Sequence, residues 1–181
     1  MQVRDATIGD AGGLARVQVD SYRSAYAGMW PEAVLDSLSY GEQEQDWRDW
    51  IRSNPDDLLY VAELSAGEVV GYALARPGPT EILGYDSELI ALHVLGPYER
   101  QGLGRSLVAA VAKALQGRGS ESLMLWVLKE NRARGFYERL GGQLLAQEKM
   151  SWVGGSEVAY GWPRIEVLCG QGDRAESNGQ S

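Results

Sequence analysis

The chain has 181 residues, with 17 lysines and arginines against 25 aspartates and glutamates, for a formal net charge of −8. A domain of this length buries enough apolar surface to need no disulfide or metal staple. The acidic balance argues against nucleic acid or an anionic lipid surface as partner and tolerates a cationic one. A single cysteine, Cys169, excludes an intrachain disulfide, and a single histidine, His93, argues against a histidine-based metal site. No stretch approaches the ~18 apolar residues of a membrane span, and the start lacks the apolar run of a signal peptide. A cytoplasmic location is the expectation.

Thr7 and Asp10 have the spacing of a capping box, with Asp in place of the usual Glu. Leu14, Val17, Tyr22 and Ala25 then recur at helical spacing until Ala27-Gly28. Trp30-Pro31-Glu32 opens a short helix with Pro31 at its first position, carrying Val34, Leu35 and Leu38. Ser39 and Glu42 repeat the capping spacing ahead of a third helix with Trp47, Trp50 and Ile51, which Asn54-Pro55 ends.

The period then changes. Residues 58–64 and 69–74 predict a hairpin turned at Ser65-Ala66-Gly67, and residues 77–87 read as a loop. Residues 88–95 are nearly all apolar and predict a central strand. A helix is expected from Gly102 to about Gln116, with Leu103, Leu107, Ala110, Val111, Ala114 and Leu115 on one face. A strand over 122–128, a helix over 131–140 closed by Gly141-Gly142, and two strands around 143–152 and 157–162 complete the order. These elements predict one mixed α/β domain over residues 1–168, with a polar, disordered tail over 169–181.

The chemistry points to the turn Arg100-Gln101-Gly102-Leu103-Gly104-Arg105. Glycines there let backbone approach a ligand, and a helix N-terminus with bare amides is a phosphate site, to which Arg100 and Arg105 add cationic reach. No Gly-Lys-Ser/Thr follows, so it is not a P-loop. Leu107 stands where a G-x-G-x-x-G fingerprint needs its last glycine. Two glycines alone fit close helix–strand packing equally well.

Two motifs in order decide between these readings. Glu99-Arg100-Gln101-Gly102-Leu103-Gly104, followed by Asn131, Ala133 and Gly135-Phe136-Tyr137-Glu138-Arg139-Leu140-Gly141-Gly142, resembles the signature pair of the GNAT superfamily of acyl-CoA N-acyltransferases. The resemblance spans roughly residues 3–165 and is strongest over 88–142. It departs at Glu99, where the family has Gln or Arg, and so sets a negative charge near phosphate unless Glu99 faces solvent or pairs with Arg100. The resemblance implies a central mixed, largely antiparallel sheet splayed between the strands at 88–95 and 122–128 and flanked by helices.

It also implies acetyl-CoA as cosubstrate, no metal, and direct transfer to an amine. The backbone of residues 100–105 would hold the pyrophosphate, and the main chain around Leu92 and Val94 would pair with the pantetheine arm. Tyr137 would protonate the departing thiolate; an ordinary phenol, pKa ~10, stays protonated at neutral pH. Asn131 resembles the family's cofactor-arm asparagine and equally suits a helix N-cap. Glu88 matches the glutamate that deprotonates the amine, often through water, and is otherwise an exposed strand end. His93, five residues on, is expected on the opposite strand face from Glu88 and more plainly a packing histidine.

Tyr26 and Trp30 straddle a helix break and are candidates for an amine pocket by cation–π contact, whereas Tyr22, Trp47 and Trp50 read as core, and Tyr160 and Trp162 fit either reading. Cys169 has no acid–base neighbour to activate it. The expected reaction is acetylation of the primary amine of a small molecule. A protein or peptide amine, and a non-catalytic acyl-CoA sensor, are the alternatives. The last hairpin and polar end are candidate homodimer material.

Overall fold

The computed structural model describes residues 1–82, 84–151 and 154–170. In chain order these form β1 (Gln2–Asp5), α1 (Ala11–Ala25), α2 (Glu32–Asp36), α3 (Tyr40–Ser53), β2 (Leu58–Glu63), β3 (Val69–Pro77) and β4 (Ser87–Val94). Then follow α4 (Leu103–Gly117), β5 (Leu123–Leu128), α5 (Arg134–Arg139), β6 (Gln143–Met150), β7 (Ser156–Trp162) and α6 (Glu166–Cys169).

Both predicted caps are present. The Asp10 carboxylate accepts from the Thr7 N–H at 2.7 Å, and Ser39 Oγ accepts from the Glu42 N–H at 3.5 Å. Asp10 also takes two bonds from the Arg4 guanidinium, at 2.9 and 2.8 Å, which hold its carboxyl down at about pKa 2. Pro31 stands one residue before α2 rather than inside it.

Among the described residues the sheet has the order β1-β2-β3-β4-β5-β7-β6. Every pairing is antiparallel except β4 with β5, which is parallel and registers only at Glu88↔Met124. Beyond that position the two strands part, and this splay is the origin of the site. β4 is central, as its composition requires, yet Leu92 and Val94 are only half-buried because one edge of the strand faces the gap.

α4 packs on one face of β2–β4, and its buried surface is broader than predicted: Val108, Ala109 and Ala112 join Leu103, Leu107, Val111 and Leu115, while Ala110 and Ala114 are half-buried. α1 and α3 cover the opposite face, with Trp47 edge-on to Tyr72 at 5.2 Å.

One strand was not expected, and one expectation is corrected. Gln2–Asp5 is a strand pairing with β2, too short and polar to stand out by pattern. α6 ends at Cys169; residues 171–181, where a disordered tail was expected, and Trp152 lie outside the described residues. The corrected expectation is that of His93, which shares a face with Glu88. Leu89 pairs with Ala75 and Ala91 with Leu74, so Ile90 has no partner, and this β-bulge inverts the alternation beyond it.

Candidate active site

The gap between β4 and β5 opens into a cleft of about 1970 Å³. Its walls bring together most of the predicted residues: Tyr26, Trp30, Leu92, Val94, Arg100, Gln101, Gly102, Gly104, Arg105, Asn131 and Tyr137. Glu88 and Leu103 are not among the lining residues. The Leu103 side chain is turned into the core, 7% exposed, so only its backbone can face a ligand. Glu88 is half-buried and immediately precedes Leu89, the first lining residue of β4.

The anionic end of a ligand is provided for by the start of α4. Gly102 caps the helix in the left-handed region (φ +86°), and no side chain caps it. The first intrahelical bond is from the Ser106 N–H to the Gly102 carbonyl, 3.0 Å, so the amides of residues 103–105 precede the ladder and present the positive end of the helix dipole. Arg100 is itself left-handed (φ +59°), a strained setting for a non-glycine residue.

Neither Arg100 nor Arg105 makes an ion pair among the described residues. The Gln101 side chain donates to the Pro97 carbonyl at 2.9 Å and stiffens the turn. Glu99 is exposed and does not pair with Arg100, so solvent screens the unfavourable charge at that motif position.

α5 sets the middle of the cleft. Asn131 lines the cleft, and its Oδ1 accepts from the Ala133 N–H at 2.8 Å, which organises the helix start. Phe136 lies 3.3 Å from where a Cβ on Gly104 would stand, so a larger residue there would have to push its ring by a few tenths of an ångström. Tyr137 follows, 7% exposed, among Phe136, Tyr160 and Trp162. Burial pushes its phenol up to about 12.

The third wall is aromatic. Tyr26 and Trp30 stack at 4.3 Å with planes 4° apart, and Tyr22 meets both edge-on at 5.2 Å. Tyr22 also lies 5.0 Å from His93, which Tyr72 flanks on its other side at 5.3 Å. Loss of solvation there lowers His93 to about 4 and keeps it neutral. Burial raises Glu88 above the ordinary carboxylate range, which makes it a stronger base.

Trp47 and Trp50, read as core, do not line the cleft, and neither do Tyr160, which donates to Glu138 at 2.6 Å, and Trp162, which donates to the Leu140 carbonyl at 3.0 Å. Tyr22, by contrast, joins the wall. Trp126, Arg132, Arg139 and Glu157 also line the cleft and were not expected there. Arg132 and Arg139 lie inside the motif that yields Asn131 and Tyr137, whereas Glu157 arrives only through the register of β7 against β5.

The family model described as the acetyltransferase (GNAT) family matches residues 19–142. The uncharacterized N-acetyltransferase YuaI of Bacillus subtilis is 35% identical over 168 residues, 92% of this chain and 95% of that protein. The spermidine N(1)-acetyltransferase of Thermoplasma acidophilum is 22% identical over 134 residues, 72% of this chain and 80% of that protein. In fold, the chain is similar to the crystal structure of PaiA N-acetyltransferase from Thermoplasma acidophilum in complex with coenzyme A. That likeness has a TM-score of 0.66 at 21% identity and covers 88% of this chain and 96% of the other.

Proposed function

This chain belongs to the GNAT acetyltransferase family, and from that premise we propose that it carries an acetyl group from acetyl-CoA directly to the primary amine of a small molecule. The observation that carries the reading is the convergence on one cleft of a capless helix N-terminus, an unpaired edge of β4, and a buried tyrosine. The aromatic wall of Tyr22, Tyr26 and Trp30 bounds the acceptor end and supports a small acceptor over a peptide.

The residues fit the cosubstrate. Backbone amides of residues 103–105, with Arg100 and Arg105, hold the pyrophosphate. The free edge of β4 around Leu92 and Val94 takes the pantetheine arm as an added strand. The Asn131 amide nitrogen donates to the same arm. An amine attacks the thioester only when neutral, and Glu88, which is not among the lining residues, accepts its proton through intervening water. As the carbon–sulfur bond breaks, Tyr137 donates its phenolic proton to the sulfur. The desolvation that raises the phenol disfavours the thiolate as well, so donor and acceptor stay matched. Tyr26 and Trp30 hold the acceptor against their faces.

Thiol release from acetyl-CoA over a panel of aliphatic, aromatic and amino-sugar amines tests this. Amine-dependent release is the expected result. Binding of acetyl-CoA without release for any amine would leave the sensor reading instead.

A further inference from the structure

We propose that Glu157 binds a second ammonium of the acceptor, which makes the preferred substrate an aliphatic diamine or polyamine. The inference rests on the acetyltransferase reading above and specifies its acceptor. Glu157 opens β7, opposite Leu128 of β5 and Lys149 of β6. Its side chain is half-buried and lines the same cleft as Tyr26, Trp126 and Tyr137.

No hydrogen bond or ion pair within the described residues engages its carboxylate. Its cross-strand neighbour Lys149 turns away, donating to Glu81 at 3.3 Å and lying 4.4 Å over the Trp126 ring. Taking a carboxylate half out of water without a partner is costly, and a cationic ligand offsets that cost. The charge reaches the acceptor end, because it acts on both the Tyr26 phenol and the Glu88 carboxyl.

The number of carboxylates then selects the ligand. The reacting nitrogen must be neutral when it attacks, and Glu88 suffices to take its proton. A second carboxylate has nothing to bind on a simple monoamine, whereas a diamine keeps one ammonium while the other reacts. Lys149 over Trp126 shows that this end of the fold already accommodates an ammonium against an aromatic face.

The test compares 1,4-diaminobutane with n-pentylamine, which has the same number of heavy atoms, by thiol release from acetyl-CoA. The native protein is expected to favour the diamine by about tenfold or more in kcat/KM. Glu157→Gln should bring that ratio to about one through the KM for the diamine, and Glu157→Asp should restore most of it. Calorimetric binding of acetyl-CoA to each variant confirms that the fold is retained. A ratio near one in the native protein overturns the proposal without any variant, and so does a preference that survives Glu157→Gln. Release with neither amine nor any other in the panel removes the acetyltransfer reading itself, and this proposal with it.

Discussion

Glu88 and His93 point to the same face of β4 because Ile90 between them has no partner on β3. Five positions of regular strand would have opposed them. The bulge instead sets Glu88 on the face that carries Tyr72 and His93, and hence on the side where α1 brings Tyr22 and its stacked neighbours. A half-buried carboxylate and an aromatic wall thereby meet on one side of the sheet.

Glu88→Gln should lower kcat by about 100-fold, the usual range for losing a general base. The sign of the pH dependence follows from burial, which raises the Glu88 pKa. Activity needs the ionised form, so kcat at saturating amine should rise with pH through a value above the ordinary carboxylate range. The variant should lack that acidic limb; a kcat profile unchanged from the native protein would remove Glu88 from the reaction.

Tyr137→Phe deletes one oxygen from a well-packed ring, and the fold should tolerate it. The expected result is a fall in kcat of about 100-fold with the KM for acetyl-CoA little altered, read by steady-state thiol release. Loss mainly in KM would make Tyr137 a wall of the cleft and not its acid.

Gly102→Val places a β-branched residue at φ +86° in the turn that aims the α4 amides. Left-handed backbone costs such a side chain about 1–2 kcal/mol or more, and the turn should reshape to avoid it. Acetyl-CoA affinity should fall at least about tenfold by calorimetry. Unchanged affinity would mean that these amides do not hold the phosphates.

Asp10→Asn tests the N-terminal clamp away from the cleft. The Asp10 carboxyl is held at about 2 against an ordinary value of 3.8, so its contribution to stability is full above about pH 4 and is lost as pH falls through 2. The variant should be about 2 kcal/mol less stable at pH 7 by denaturant unfolding, with the gap closing toward pH 2. A gap that does not narrow with acid would assign the loss to packing.

The readings made from the residues alone succeeded where the information is local. Thr7 with Asp10 and Ser39 with Glu42 start helices because a side chain reaches an amide three residues away. Residues 58–64 and 69–74 make a hairpin because two apolar runs flank the turn at Ser65-Ala66-Gly67, and the glycine-bearing turn with Asn131 and Tyr137 announces its fold because spacing within each strand–helix unit is set by the chain itself. What only the tertiary structure decided depends on partners distant in sequence. The unpaired Ile90 exists by virtue of β3, and the half-burial of Leu92 and Val94 by virtue of the divergence of β4 from β5. Tyr22 is a wall residue because β4 presents His93 to it. Glu157 faces the cleft because the register of β7 sets it opposite Leu128, with its cross-strand neighbour Lys149 drawn off by Glu81 and Trp126. A carboxylate's role follows from which charges surround it, and that is a property of register and packing that no local pattern encodes.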